Sequence, residues 1–434
     1  MGLMESLARD LGGGEEPGAV QAVREAAFRR ALAQGVPSPR DEDWRYTDLS
    51  SLSGQEFRAA RAGRLDQNSL PLKDLDAWRL VFVNGRFAPS LSDLSALPAG
   101  ITVRLLEEMS RQDPQWLAEH LSRQASPEAR TFAALNAAAA PDGLHVEVAP
   151  GTQVEKPLLV IFATIGAGTP TLVSPHLHLQ AGRHSRIELV ELHLTQGAGS
   201  TLTNAHTRVD TGDGASVFHY RAVWEGSEGS HIGSVQINVG RDSRAENFSL
   251  VLSGRMVRVD IDGALAAPGG ELKLNGVFVA GPNQHVDHHT RVDHAASHTT
   301  SDEVYKGIAD GNGRGVFNGR VLVREGVEKV VATQASNNLL LSSDAEIDAK
   351  PELEIYANDL RCAHGATVGQ LDDDSLFYLR SRGVPAVEAR ALLIYGFVQS
   401  LVESIPHPAL QALVTARFAE ANPSLAKLLA GDYT

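Results

Sequence analysis

Val235-Gln236-Ile237-Asn238-Val239-Gly240-Arg241 alternates apolar and polar side chains over five residues and then breaks at a glycine. A period of two is the mark of a strand with one buried face. The same alternation appears on both sides of this stretch: His176-Leu177-His178-Leu179, Arg186-Ile187-Glu188-Leu189, Val257-Arg258-Val259-Asp260-Ile261 and Glu271-Leu272-Lys273-Leu274. Small turn clusters separate the runs, among them Ala181-Gly182-Arg183, Gly212-Asp213-Gly214 and Pro268-Gly269-Gly270. With Gly182, Gly214, Gly240 and Gly270 as markers, the unit recurs at intervals of 32, 26 and 30 residues. Strand–turn units of that size with no helix between them predict a coiled stack of β rungs. A β-sandwich of hairpins is the competing arrangement, but it would place tight two-residue turns roughly every 8–12 residues. Such turns are not prominent here, so the sequence predicts a parallel β-helix core over residues 144-372, within a mainly β protein with flanking α regions.

The flanks read differently. Residues 1-143 are mostly helical: Val20, Val23, Ala27 and Ala31 recur at helical spacing and Gly35 is a C-terminal stop. Helices are also predicted from Pro114 to Gln124 and from Pro127 to Ala139, with proline in the first turn. Leu80 to Phe87 is a small β element that turns at Asn84-Gly85. In residues 373-434, Ala391, Ile394, Val398, Leu401 and Ile405 share one face of a helix that ends at Pro406-His407-Pro408. Further helices follow over 410–421 and 423–429. These helices are expected to cap an end of the β stack or to offer an apolar face to a partner.

Composition narrows the function classes. A net charge of −14 argues against a nucleic-acid binder, which needs a Lys/Arg-rich face. No run approaches the roughly 20 apolar residues of a membrane span, and the start lacks the basic and apolar regions of a secretory signal. Gly2 and Ser6 fit a myristoylation pattern, which is too short to outweigh a soluble start. Cys362 is the sole cysteine, so no internal disulfide can form, which suits a reducing cytoplasm.

That cysteine also heads the candidate chemistry. In an extended strand, Cys362 and His364 point to the same side, and thiolate with imidazole is a reasonable ligand pair for zinc or iron. Clusters take about four protein ligands, so completion would have to come from a second chain. A half-buried structural cysteine beside a solvated histidine is the competing reading. Cysteine-nucleophile catalysis is disfavoured, because the base usually lies far away in sequence.

His285, His288, His289, His294 and His298, with Asp287 and Asp293, form a second candidate metal segment. On alternating strands many of these histidines are expected on a wet face, with structural or interface roles rather than a metal. Asp287-His288-His289 matches the DHH phosphoesterase tripeptide, but it lies in a β region, where it counts as coincidence. No G-x-x-x-x-G-K-[ST] loop occurs, and Gly311 to Gly315 reads as a β turn, so ATP use would fall to a partner.

Several ordered blocks resemble the SufB/SufD family. They are Asp293-His294 through Tyr305-Lys306-Gly307, Gly315-Val316-Phe317-Asn318-Gly319, Gln334 to Ser342, Pro351 to Ile355, Cys362 to Leu371 and Leu376 to Gly383, with Glu42 to Leu49 near the start. The resemblance implies a right-handed parallel β-helix with helical N- and C-terminal domains. It implies a cytoplasmic, non-catalytic scaffold subunit of an iron–sulfur cluster assembly complex. In that family SufB and SufD pair through the β-helix, and each docks a SufC-type ABC ATPase, which supplies the ATPase activity, through its C-terminal helices. Here that docking region spans Leu376 to Ile405, with Leu376, Phe377, Tyr378, Arg380, Leu392, Tyr395 and Phe397 as candidate contacts. The family's interface Cys and His map onto Cys362 and His364, where iron or a nascent cluster is held only transiently; no cofactor is implied for the isolated chain. SufB-type members usually carry further cysteines, so the lone Cys362 resembles the SufD-type branch, paired with a SufB-like paralogue. A paralogue that pairs with itself as a homodimer stays open. The alternative from another class is a metal-dependent hydrolase or lyase on a β-helix, using the Gln284–Thr299 histidines. Such enzymes line their grooves with aromatic platforms, and aromatics are only 6% here.

Overall fold

The structure, a computed structural model, describes residues 3–4, 16–94, 97–124 and 130–421. The myristoylation pattern at Gly2 and Ser6, the opening of the predicted helix at Pro127 and the helix predicted over 423–429 lie outside those residues.

Strands follow one another through the centre of the chain and alternate between two sheets, one of 11 strands and one of 10. Each rung gives one strand to each sheet, as in Gly229–Val239 followed by Arg244–Ser253. Eight such rungs run from Leu144–Val148 to Leu360–Gln370. The ladders within this stack are parallel: Arg186 pairs with Ser216, Ser216 with Arg244, Arg244 with Glu271, and Glu271 with Thr300. The core is therefore a parallel β-helix. All four glycine markers sit at one corner, between the two strands of a rung. At that corner Gly182 N–H donates to Val148 O and Gly212 N–H to Ala181 O, both at 2.8 Å. A side chain on Gly240 would stand 2.5 Å from Thr211 O in the rung below, so the backbones approach there only because glycine is present.

Alternation sorts the side chains. On Arg186–Ala198, Ile187 and Leu189 face the interior, while Val190, Leu192 and Leu194 face outward. Further along the same outward face, the helix Ala386–Val402 packs on the strand Glu271–Ala280 and buries Ala391, Ile394, Val398 and Leu401 in the apolar cluster that includes Val277 and Ile308. The C-terminal helices thus lie along a face of the 10-stranded sheet and do not cap an end, because that face carries the apolar stripe they need. On the 11-stranded sheet, Leu172, Leu202, Ile232 and Met256 pack against Ala31, Trp44 and Phe132 of the N-terminal region. There the helix Gly18–Gln34 ends at Gly35, whose φ is +72° and whose N–H donates to Ala31 O.

The two ends of the stack differ. At the first rung, Trp78–Val83 extends one sheet in parallel and forms a hairpin with Arg86–Phe87 across Asn84 and Gly85, both at positive φ. Ile101–Leu105 adds an antiparallel strand to the other sheet. At the last rung, Glu346–Ile355 and Leu360–Gln370 end their sheets, and no strand follows among the described residues.

Candidate metal and partner site at the open end

Cys362 and His364 lie on the terminal strand Leu360–Gln370, paired in register with Ala332 and Gln334. Each tops a column of interior side chains. The first column rises through Ala245, Leu272, Ser301 and Ala332 to Cys362; the second rises through Asn247, Leu274, Glu303 and Gln334 to His364. Below the last rung these residues are buried; on it Cys362 is half-buried and His364 exposed. Val321, Val323, Val330 and Ala332 pack beneath Cys362, and that burial pushes its thiol up. The free site thus presents a protonated thiol that a metal or a partner would have to deprotonate. Among the described residues no third His, Cys, Asp or Glu joins the pair to make a metal-binding group.

Glu303, two rungs below His364, is the unusual member of its column. Thr290 Oγ1 donates to it at 2.6 Å, and burial pushes the carboxyl up to about 7. Nothing in the sequence around Glu303 marked it, since its position in an inward column emerges only from register. Deeper in the interior, Glu191 accepts from His193 (2.5 Å), His219 (2.8 Å), Thr207 (2.9 Å) and Arg221 (3.4 Å). Burial opposes its ionisation, but Arg221, His193 and His219 hold this carboxylate well below its ordinary range. Glu191-Leu192-His193, two polar residues two apart just beyond the predicted Arg186–Leu189 run, was the available signal.

The histidines of the 285–298 segment are not on a wet face. His288 and His294 are fully buried and His289 nearly so, because the strand His285–His294 has the core on one side and the N-terminal segment on the other. His294 is bonded at both ring nitrogens, to Thr299 (2.8 Å) and Ser301 (2.9 Å), and His288 bonds Ser249 (3.0 Å). Asp287 binds Arg258 (2.9 Å), His289 (3.1 Å) and Thr47, while Arg258 lies 3.8 Å from the Trp44 ring and donates to Asp43 O. Burial works against Asp287 ionising, yet His289 and Arg258 hold it well below the carboxylate range. These side chains bolt the Glu42–Leu49 segment onto the β-helix. His285 bonds Thr47 (2.8 Å), and only His298, in a turn, is exposed.

The docking candidates separate into two groups. Phe377 (72% exposed), Tyr378 (57%), Arg380 and Leu392 stand open, with Val387 beside them; Leu376 is half-buried. Tyr395 and Phe397 are half-buried against the β-helix, and Lys306 Nζ lies 5.3 Å from the Phe397 ring. No helix among the described residues is long and apolar enough to cross a membrane.

Comparison with known proteins bears directly on this arrangement. The family described as SUF system FeS cluster assembly, SufBD core domain, matches residues 163–397, and the SufBD protein N-terminal region matches residues 13–160. The iron-sulfur cluster assembly protein SufD of Escherichia coli is 30% identical over 404 residues, covering 92% of each chain. An iron-sulfur cluster assembly SufBD family protein of Synechocystis is 31% identical over 390 residues, covering 87% of this chain and 85% of its own length. The chloroplastic protein ABCI7 of Arabidopsis thaliana is 24% identical over 89% of this chain and 83% of its own length. Matches of this extent, spanning the helical N-terminal region, the β-helix and its last rung, make the chain a member of the SufBD family of iron–sulfur cluster assembly proteins.

Proposed function

We propose that this chain is a non-catalytic scaffold of cluster assembly, pairing through the last rung of its β-helix with a SufB-like paralogue. In the pair, Cys362 and His364 offer two ligands to iron or a nascent cluster, held as cargo and completed by the partner's side chains. The observation that carries this reading is the last rung: among the described residues no strand pairs with its outer edge, its face includes Ile355, Tyr356 and Val368 as exposed apolar groups, and the Cys362–His364 pair lies on it. An unpaired strand edge is a template for a strand of another chain. A SufC-type ABC ATPase docks on the open C-terminal face around Phe377, Tyr378, Val387 and Leu392, where apolar exposure is concentrated. ATP turnover belongs to that partner.

Co-expression with SufB and SufC, pull-down through this chain and anaerobic reconstitution with iron and sulfide test the proposal. A three-component complex whose cluster absorbance falls on His364→Ala is expected. A complex indifferent to His364→Ala and Cys362→Ala removes the ligand role, and a chain that ignores both partners removes the scaffold role. Self-pairing as a homodimer would appear as a defined dimer that SufB does not displace.

A further inference from the structure

At the other end of the β-helix five histidines meet under the helix Pro114–Gln124. His145, His176, His178 and His206 come from three neighbouring strands and point outward, opposite to the core residues Leu144, Val146, Leu177 and Leu179. His120 comes down from the helix, stacked on Trp116 at 5.0 Å between ring centres. His145, His176, His178 and His206 are buried and His120 is half-buried. His120, His145 and His178 each offer a ring nitrogen within 4.8 Å of the other two.

The surrounding groups fix where the lone pairs point. His178 Nε2 lies 2.8 Å from Asp210 Oδ2, a carboxylate that Arg208 also binds, so Nε2 carries the proton and Nδ1 is the acceptor. That Nδ1 stands 3.1 Å from His145 Nδ1. His176 Nδ1 lies 3.2 Å from Asn136 Oδ1, while the Asn136 amide donates to Pro175 O and Asn204 O. The Asn136 oxygen therefore accepts from His176, whose Nε2 lone pair turns inward, 2.8 Å from His120 Nε2. A carboxylate outside His178 and an amide outside His176, each leaving a free ring nitrogen directed inward, are the outer shell that metal-bound histidines usually have. In a tetrahedral site with metal–nitrogen bonds of about 2.0–2.1 Å, neighbouring nitrogens are about 3.3 Å apart, close to the His145–His178 spacing. His120, the least buried of the set, already has a ring nitrogen within 4.8 Å of those of His145 and His178.

We propose that His120, His145 and His178, with His176 beside them, bind one borderline divalent transition-metal ion, zinc foremost, which staples the helix Pro114–Gln124 to the first rungs. The all-imidazole set favours such an ion over calcium or magnesium. The site is separate from Cys362 and His364 and does not depend on the scaffold reading.

The full chain, stripped with chelator and freed of any affinity tag, is titrated with zinc by calorimetry and with cobalt(II) by visible absorbance. One equivalent of zinc, a raised melting temperature, and tetrahedral cobalt bands without a thiolate charge-transfer band are expected. His120→Gln, on a half-buried ring, should weaken binding at least tenfold. Asp210→Asn should weaken it about 10–100-fold. The Cys362→Ala, His364→Ala variant should bind as the parent does. No stoichiometric binding by the folded parent chain, or binding abolished by Cys362→Ala, His364→Ala and untouched by His120→Gln, overturns the assignment.

Discussion

Replacing Glu303 with glutamine should change how stability depends on pH, with a sign the structure dictates. The carboxyl is fully buried, and that burial lifts it from 4.5 to about 7. The folded protein thus keeps a proton that the unfolded chain releases across this window, so unfolding becomes easier as pH rises. A difference of about 2.5 units at about 1.36 kcal/mol each amounts to about 3 kcal/mol, present as stability below pH 4.5 and lost by the time pH passes 7. Between pH 5 and pH 8 about 2 kcal/mol of that loss should be visible. Glu303→Gln retains an oxygen for the Thr290 hydroxyl but cannot ionise, so this slope disappears. The measurement is urea unfolding of both chains, followed by far-UV circular dichroism, at several pH values in that range. Titrations elsewhere in the molecule cancel in the difference between the two chains. The variant should gain on the parent by about 2 kcal/mol from pH 5 to pH 8. A difference that stays constant with pH would refute the reasoning, since it would mean Glu303 ionises as freely folded as unfolded.

Gly313→Ala should destabilise the chain by about 1–3 kcal/mol in the same unfolding assay, because the added carbon would lie 2.1 Å from Ala280 O and 2.6 Å from Gly281 O. Asp287→Ala should cost about 3–5 kcal/mol by leaving the buried Arg258 short of a charge, and limited proteolysis should then cut near Trp44. Cys362→Ala with His364→Ala should leave the isolated chain within about 0.5–1 kcal/mol of the parent by thermal unfolding, since neither side chain is deeply buried.

The β-helix was legible because its two determinants are local. Alternation in Val235–Val239 or Glu271–Leu274 assigns each side chain to a face, and the spacing of Gly182, Gly214, Gly240 and Gly270 gives the length of one coil. The helix stripes at Ala27 and Ala31 and at Ile394, Val398 and Leu401 were equally plain. What alternation cannot tell is whether the outward face meets water. Asp287 and His289 are polar residues two apart on one strand, as solvated residues would be, yet the Trp44 segment, more than two hundred residues earlier in the chain, covers them. The same blindness hid His176 and His178. Their strand was read correctly, but the helix that brings His120 onto them lies far from them in the sequence. Cys362 and His364 could be picked out as a candidate pair because they are two residues apart on one strand, a relation that needs no tertiary information.

The two terminal strands of the stack are not equally protected. Glu346–Ile355 carries Lys350, Pro351, Glu352 and Glu354, the charges and proline with which natural sheets discourage edge pairing. Leu360–Gln370 runs Leu-Arg-Cys-Ala-His-Gly-Ala-Thr-Val-Gly-Gln, with a single Lys or Arg, no proline and no acidic residue. Eleven residues of unguarded parallel edge would be a liability in a chain that works alone. The liability is placed on the one strand that carries the cysteine and the aligned histidine, while the opposite end of the β-helix is closed by Ile101–Leu105 and the Trp78–Phe87 hairpin. Selection for stability alone would have guarded both edges alike. An edge left unguarded, among the described residues, on the strand that carries Cys362 and His364 is accounted for by the proposed pairing, in which another chain regularly covers it and brings further ligands.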